Sequence, residues 1–302
     1  MRQKGMELGF DELGFSKVHR LDYLEKPMMD WLNKGYHGDM LWLENNIEKR
    51  LNPTELFPGA KTIISLISWY YSDEYEDGCG ISRFAVGRDY HKTLKKKGQA
   101  LIDFIREEFG DIQARVFVDS APVMERQWAK NSGLGWIGKN GCLIQHKKGS
   151  WFLLGEIIMD MDIPPDDQEQ ANLCGSCSLC VDACPTKALL GEGLIDARKC
   201  ISYLTIELKG EMDDEFKGKW KDWIFGCDIC QEVCPWNRKP IHHQMIDFSP
   251  RKEILNLKQN LTANSDDLEI DSIISGTAIK RTEIKGLMRN LKYLNPVAGQ
   301  KE

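Results

Sequence analysis

Eight of the ten cysteines lie between residues 174 and 234, in two motifs with the spacing of metal-cluster ligands. The first motif, C-x2-C-x2-C-x3-C-P, contains Cys174, Cys177, Cys180 and Cys184. In proteins with two [4Fe-4S] clusters, the first three cysteines of such a run bind one cluster and the fourth binds the other. Gaps of two residues wrap a tight loop around one face of a cubane. The spacing therefore predicts two neighbouring [4Fe-4S] clusters.

A second motif, C-x2-C-x3-C-P, is one cysteine short of the first, and Cys200 is the predicted missing ligand. The crossing rule then assigns one cluster to Cys174, Cys177, Cys180 and Cys234, and the other to Cys184, Cys200, Cys227 and Cys230. Structural zinc is the alternative, because C-x2-C pairs also occur in zinc sites. Zinc ribbons use separated pairs, however, so the repeated run favours iron-sulfur clusters.

These thiols are predicted to lie in a reducing compartment. The 302 residues are 42% hydrophobic and 28% charged, which is typical of a globular protein with two or three domains. The start of the chain, MRQKGMELGF, lacks an apolar leader, and the longest apolar run is far shorter than the roughly 20 residues of a membrane helix. We therefore predict a cytoplasmic protein that does not enter the membrane. The isolated Cys79 and Cys142 are interpreted as ordinary small hydrophobes without a functional role.

The net charge of -6 excludes a generally basic nucleic-acid binder, but it leaves room for local basic patches. The tail contains such a patch, with Lys280, Arg281, Lys285 and Arg289. A second basic run contains Lys92, Lys95, Lys96 and Lys97. Lysine runs can contact phosphates, although a solvated helix face is their commoner meaning.

An α/β domain is predicted ahead of the cluster motifs. The apolar runs 62–71 and 115–119, and a part of 150–160, read as strands. Residues 91–110 show helical spacing and end at Gly110, a candidate cap. This strand–helix–strand order predicts a βαβ unit.

Three segments follow from this arrangement. We predict an α/β (α+β) domain over 1–165, a ferredoxin-like domain with two [4Fe-4S] clusters over 166–245, and a helical, partly basic segment over 246–302. A polar, proline-containing linker over 162–172 separates the first two segments.

Residues 118–144 form a loop-rich segment that leaves a predicted strand at Asp119. Ligand-binding groups commonly lie at such strand ends in α/β domains. Gly133, Gly135, Gly138 and Gly141 recur in a backbone that must turn often or approach a ligand closely. Their spacing matches neither GxGxxG nor a Walker loop, so a dinucleotide site is poorly supported.

With the cysteine motifs, this segment resembles the epoxyqueuosine reductases, cobalamin-dependent iron-sulfur enzymes of tRNA modification. The segments GYHGDMLWL (35–43), NPTELFPGAKTIISL (52–66), FGCDICQEVCPWNR (225–238) and GTAIKRTEIKGLMRN (276–290) are also similar to that family. The resemblance covers roughly residues 35–295. It implies a cobalamin-binding core like that of reductive dehalogenases and nitroreductases. Many members carry a further helical-repeat domain, which we expect to be absent from this short form.

The resemblance implies that the epoxide of epoxyqueuosine is reduced at the wobble position of tRNA, the last step of queuosine biosynthesis. The two clusters would pass single electrons to cobalamin, whose cobalt(I) could attack an epoxide carbon. Asp119 matches the family's proposed proton donor, and donation would require a raised pKa. A turn-capping role for Asp119 is the alternative.

The cofactor and substrate contacts form two further sets of candidates. Arg88, Tyr90, His91, Lys139, Asn140 and Ser202 are the candidate cobalamin contacts, without a histidine ligand to cobalt, because the Asp-x-His-x-x-Gly pattern is absent. Lys280, Arg281, Lys285 and Arg289 are the candidate tRNA contacts. We expect a monomer that receives electrons from an external flavodoxin-like, ferredoxin-like or reductase partner. A corrinoid reductase of small molecules and a simple electron carrier remain as alternative functions.

Overall fold

The computed structural model describes residues 1–166, 170–220, 222–261 and 265–294. Within these ranges the eight strands are β1 Glu12–Lys17, β2 Thr62–Trp69, β3 Ala114–Phe117, β4 Trp136–Ile137, β5 Leu143–Ile144, β6 Phe152–Met159, β7 Leu189–Gly191 and β8 Leu194–Ile195. The α-helices are α1 Arg2–Glu7, α2 Asp22–Asn33, α3 Ile47–Leu51, α4 Pro53–Leu56, α5 Tyr90–Phe109, α6 Glu125–Asn131, α7 Leu179–Ala183, α8 Ile201–Ile206, α9 Ile229–Glu232, α10 Lys252–Leu255, α11 Leu257–Asn260, α12 Asp267–Ile274 and α13 Glu283–Leu294. Short 3-10 turns connect several of them. This is a mixed α/β protein.

A four-stranded sheet in the order β1-β2-β6-β3 supports the first half of the chain. All eight residues of β2 are buried, which explains its continuous apolar sequence, because both faces of the strand are covered. The three strands expected from the sequence are confirmed within a few residues. The βαβ expectation needs one correction. Since β2 and β3 are each antiparallel to β6, they run parallel to one another, but β6 lies between them.

Helix α5 connects β2 to β3 and carries the residues that will matter below. Its buried face contains Leu94, Leu101, Ile102 and Ile105, at the spacing of an amphipathic helix. Gly98 lies on the same face, where a Cβ would come within 2.5 Å of a Val116 methyl group. The helix thus packs closely on β3, and its first turn is held beside the end of that strand.

Much of the C-terminal segment packs into the same core as α5. Ile254, Ile270, Ile279 and Leu287 are each at most 3% exposed and share a hydrophobic cluster with Leu94. The described residues of this segment, 246–261 and 265–294, contain helices α10 to α13, whereas residues 262–264 and 295–302 lie outside the described part. The boundaries at 165 and 245 stay a prediction. Among the described helices, none is long and apolar enough to cross a membrane.

Candidate active site and cluster-binding segment

The cysteines of both motifs lie on short turns and helix ends that face each other. Cys180 is on α7 and Cys184 follows its last residue, while Cys230 is on α9 and Cys227 precedes it. The two short helices pack together, which brings the two motifs into one unit. Cys200 supplies the residue before α8. All ten cysteines carry free thiols in the structure.

The electrostatic neighbours of these thiols fall into two sets. Burial raises the pKa of Cys180, and the charges of Cys174 and Cys177 raise it further. Burial raises the pKa of Cys234 to about 11, and Cys174 and Cys180 contribute to the rise. The first three cysteines of the first motif are therefore neighbours of the last cysteine of the second.

The other set contains Cys184, Cys200, Cys227 and Cys230. Burial raises the pKa of Cys227, with further contributions from Asp228, Cys200 and Cys184. The pKa of Cys230 is raised by its contact with Cys142, by burial and by Cys227 and Cys200. These two sets match the crossing rule, although the ligand set of each cluster stays a prediction. Because thiols with raised pKa values hold their protons, cluster assembly must release protons here.

Among the described residues, no group of three or more His, Cys, Asp or Glu side chains is arranged to hold a single metal ion. A cubane does not require such convergence, because each thiolate binds a different iron.

Asp119 lies just beyond β3 and receives two side-chain hydrogen bonds from the first turn of α5. The Tyr90 hydroxyl donates to Asp119 Oδ2 at 2.9 Å, and His91 Nε2 lies 3.1 Å from the same oxygen. His91 Nδ1 lies 2.8 Å from Asp89 Oδ1, so the imidazole bridges two carboxylates. The Tyr90 and His91 rings also stack at 4.0 Å. The local sequence explains this geometry, because Asp89 caps α5 by accepting the His91 N–H.

The protonation of this site differs from the sequence-based expectation. The hydrogen bond from His91 lowers the pKa of Asp119, whereas proton donation led us to expect a raised value. Burial lowers the pKa of His91, but its hydrogen bonds to Asp119 and Asp89 outweigh burial and raise it. Both shifts favour an imidazolium beside an ionised Asp119 carboxylate. An imidazolium beside a carboxylate stores a proton one hydrogen bond away from Asp119.

Sequence reasoning missed two carboxyl groups behind Asp119. Glu125 Oε1 accepts the Asp119 backbone N–H at 2.5 Å, and burial and the Asp119 charge raise the pKa of Glu125 to about 8. Glu156, on β6, is 0% exposed, and no hydrogen bond reaches either of its carboxyl oxygens. The only sequence signal for Glu156 was a charge inside the apolar run WFLLGEIIM.

The Asp119 site and the second cysteine set share charged neighbours. Arg126 lowers the pKa of both Asp119 and Cys142, and Cys142 contacts Cys230. Arg281 forms an ion pair at 2.8 Å with Glu207, the residue that follows α8. The hydrogen bond to Glu207 raises the pKa of Arg281, and the negative charge of Asp119 and of ionised Tyr90 raises it further. Asp119 and the second set of cysteines therefore border one region of the protein.

The remaining candidate cofactor contacts lie on three separate segments of the chain, and Arg88 lines the surface pocket described below. Arg88 is 73% exposed and lies 3.5 Å from Asp247. The Lys139 ammonium donates to the Gly175 carbonyl at 2.8 Å, within the first motif. Asn140 is buried, and its amide donates to the Cys230 carbonyl at 3.4 Å. Ser202 follows Cys200 at the start of α8. Lys139 and Asn140 thus hold the glycine-rich loop against the cysteine motifs.

The candidate tRNA contacts differ in how far the structure uses them internally. Lys280 lies 3.5 Å from Asp271, Arg281 pairs with Glu207, and Lys285 has no hydrogen bond or ion pair among the described residues. Arg289 differs from the expectation of a free basic surface. Its guanidinium donates to the carbonyls of Leu204, Leu208 and Gly210 and so fixes α13 to α8. Its contact with tRNA stays a prediction.

The lysine run on α5 borders a surface pocket of about 810 Å³. Its cationic lining consists of Arg88, Lys92, Lys96, Lys97 and Arg251. Lys95 instead points to the Asp119 side of α5, where it donates to the Ser120 hydroxyl at 3.0 Å.

Comparisons with known proteins give two family-model matches. Residues 50–120 match a model described as epoxyqueuosine reductase QueG, DUF1730, and residues 173–237 match a 4Fe-4S double cluster binding domain. A curated epoxyqueuosine reductase from Cyclobacterium marinum is 43% identical, covering 97% of this chain and 95% of the relative. One from Vibrio cholerae is 38% identical, over 96% of this chain and 80% of the relative.

Solved structures agree with these matches. An epoxyqueuosine reductase crystallised with an epoxyqueuosine-modified tRNA-Tyr stem loop superimposes with a TM-score of 0.88 at 31% identity, covering 97% of this chain and 79% of that one. The enzyme from Streptococcus thermophilus gives a TM-score of 0.85 at 34% identity, with the same coverage of both chains.

Proposed function

The chain belongs to the epoxyqueuosine reductase family, and we infer from this premise that it is an oxidoreductase that converts epoxyqueuosine to queuosine in tRNA. The observation that carries the inference is the likeness, over 97% of the chain, to a reductase crystallised with an epoxyqueuosine-modified tRNA stem loop. The conversion removes one oxygen and consumes two electrons and two protons. The site must therefore supply both.

For the electrons, the matched double-cluster domain supports two [4Fe-4S] clusters. We propose that Cys174, Cys177, Cys180 and Cys234 bind one cluster and that Cys184, Cys200, Cys227 and Cys230 bind the other. The second cluster then lies on the side of Asp119, so electrons reach the active site through it. An external one-electron donor, which is flavodoxin-like, ferredoxin-like or a reductase, has to reduce the two clusters again after each turnover. A monomer in the cytoplasm stays our expectation.

Cobalamin is the proposed partner of these clusters, and the residues present fit it. The Tyr90 hydroxyl, the His91 imidazole, the Lys139 ammonium and the Asn140 amide offer hydrogen-bonding groups of the kind that the amides and phosphate of a corrinoid require. Arg88, Tyr90, His91, Lys139, Asn140 and Ser202 are the proposed contacts. When bound and reduced, the cofactor supplies a strong nucleophile for an epoxide carbon. His91 is fully engaged by Asp89 and Asp119, in keeping with its not serving as a cobalt ligand.

The chain's own residues then control protons. Ring opening leaves an alkoxide, and we propose that Asp119 delivers a proton to it. In the resting site that proton is held by His91, 3.1 Å from Asp119 Oδ2, and it moves to the carboxylate as negative charge develops on the substrate oxygen. Asp89 holds the imidazole in place through Nδ1, and Tyr90 fixes the carboxylate. A low pKa for Asp119 in the resting state is therefore compatible with its role.

For the tRNA, we propose that Lys280, Arg281 and Lys285 contact the phosphate backbone, with the lysines of α5 as further candidates. Lys and Arg contacts of this kind supply affinity without sequence information.

The function is tested by anaerobic reconstitution with iron, sulfide and cobalamin, followed by incubation with epoxyqueuosine-containing tRNA and a low-potential reductant. Queuosine should form. A fully loaded protein that leaves the epoxide intact contradicts the proposal. Turnover of small organohalides instead would favour the corrinoid reductase of small molecules. Cluster absorbance without corrinoid binding would favour an electron carrier.

A further inference from the structure

Glu156 carries a carboxyl group that is fully buried inside the protein. It lies on the central strand β6, opposite Ser65 on β2 and Phe117 on β3. Its side chain is fully buried, and neither oxygen has a hydrogen-bond partner in the described structure. A buried carboxylate without a partner is so costly that the group keeps its proton instead. Burial raises the pKa of Glu156 far above its ordinary value, ionisation of Glu125 raises it further, and Ser65 on the paired strand opposes the rise.

Glu125 connects this buried acid to the active site. It is the first residue of α6, a helix that packs on β2 and β6. Its Oε1 accepts the Asp119 N–H, which leaves Oε2 free to carry a proton. The exposure of the three carboxyl groups increases outward, since Glu156 is fully buried, Glu125 is half-buried and the Asp119 side chain is 59% exposed.

The charged and titratable groups that face Glu125 come from four directions. Asp119 beyond β3 disfavours its ionisation, whereas Arg126 on its own helix and His91 on α5 favour it. Glu156 on β6 is protonated and therefore neither favours nor disfavours the ionisation of Glu125 by its charge. Burial dominates this balance, so Glu125 is largely protonated at neutral pH, with a pKa of about 8.

From this arrangement we propose that Glu125, backed by the neutral Glu156, is a positioning residue that stores the second proton of the reaction and returns it to Asp119. The inference rests on the proposed function of Asp119. When the nucleophile supplied by the bound cofactor bonds to the epoxide carbon, the first C–O cleavage leaves an electron pair on oxygen, and Asp119 protonates that oxygen with the proton held by His91. The second C–O cleavage, driven by the two electrons that the clusters supply, releases the oxygen as water and needs a second proton. Glu125 gives this proton to Asp119, whose backbone nitrogen lies 2.5 Å from Glu125 Oε1, and the resulting Glu125 carboxylate keeps the Asp119 N–H as its donor.

The pH dependence of turnover tests this proposal. Wild-type turnover should fall above a pH of about 8 as Glu125 loses its stored proton. Glu125→Gln retains an oxygen for the Asp119 N–H but has no proton to give. It should lower turnover about 100-fold, the smaller end of general acid–base effects, and abolish the decline near pH 8. Glu125→Asp should restore part of both. The matched control is Glu108→Gln, an exposed position at the end of α5, which should leave rate and profile unchanged.

Two outcomes overturn the proposal. One is a Glu125→Gln enzyme with wild-type turnover. The other is a slowed Glu125→Gln enzyme whose decline near pH 8 persists, which indicates a purely structural role.

Infrared titration gives a readout that depends on neither tRNA nor turnover. At pH 7 the wild-type protein should show absorption bands of two buried, protonated carboxyl groups. The band that is missing in Glu125→Gln should titrate near pH 8, and the band that is missing in Glu156→Gln should persist above it. If neither band is present at pH 7, the proton store does not exist, whatever the enzyme does to tRNA. If both are present in a protein that leaves epoxyqueuosine unreduced, the proposed function fails and the store stands without this reaction.

Discussion

Replacing Asp119 with Asn removes the carboxylate that passes the proton of His91 to the substrate, while disturbing the structure very little. Asp119 has a positive φ of 55°, a left-handed conformation that Asp and Asn tolerate better than most residues. Asn also keeps an oxygen for the Tyr90 hydroxyl. Ala would add backbone strain and would leave Tyr90 and His91 without their acceptor. Asn is therefore the variant that isolates the chemistry.

The expected effects on stability and on catalysis differ in size. The Asp119–His91 ion pair is partly exposed, with side-chain exposures of 59% and 29%, and such pairs contribute at most about 1 kcal/mol to folding. A general acid contributes roughly 10²–10⁴-fold to rate, which corresponds to about 2.7–5.4 kcal/mol of transition-state stabilisation. Asp119→Asn should thus lose most of its turnover and almost none of its stability.

The assay compares the rate of queuosine formation, the iron content and the corrinoid content of the wild-type and Asp119→Asn proteins after the same anaerobic reconstitution. Asp111→Asn, an exposed position before β3, is the control and should behave as the wild type. Unchanged turnover in Asp119→Asn would refute the role of Asp119 as proton donor. Loss of cofactor in Asp119→Asn would show instead that this residue acts in binding.

Three further expectations concern the clusters, the tail and tRNA. Cys234→Ser should remove the cluster of Cys174, Cys177 and Cys180 and so halve the iron content, whereas Cys142→Ser should keep both clusters; loss of the other cluster in the electron paramagnetic resonance spectrum would contradict the assignment. Arg289→Met should lower the free energy of unfolding by roughly 2 kcal/mol, because three carbonyls lose a charged donor. Thermal unfolding measures this loss. The control is Lys285→Ala, which should change the free energy of unfolding by no more than about 0.5 kcal/mol. Lys285→Ala should weaken tRNA binding and reduce its salt-dependence slope by about 1, and a binding titration with an unchanged slope would exclude this phosphate contact.

The parts of the molecule that follow from local pattern could be predicted from the sequence. The apolar run of β2 and the helical spacing of α5 fixed their positions within a few residues, because burial on both faces or on one face dictates such patterns. The cysteine spacing likewise indicated two clusters, since the ligand geometry of a cubane is imposed on a short loop. Asp119 was found because its strand-end position and its neighbouring residues resemble a known family.

What failed to follow depends on contacts between distant segments. The placement of β6 between β2 and β3 is set by pairing over the whole sheet, which leaves no local trace. The low pKa of Asp119 comes from His91, 28 residues earlier in the chain. Glu156 could not be recognised from the strand pattern, because its burial depends on α6 packing over β6. Arg289 looked like a surface cation, since the three carbonyls that it binds lie on the segment after α8 and at its end.

Membership of this family implies that electrons from the cluster-binding segment, residues 173–237, serve to remove an oxygen from a nucleoside in tRNA. The most direct test is mass spectrometry of the nucleosides from epoxyqueuosine tRNA after anaerobic incubation with the reconstituted, reduced protein. The expected result is loss of one oxygen from the modified nucleoside, in the presence of both clusters and cobalamin, and no loss when either cofactor is omitted. Intact epoxyqueuosine after incubation with protein that holds both clusters and the corrinoid would contradict the claim.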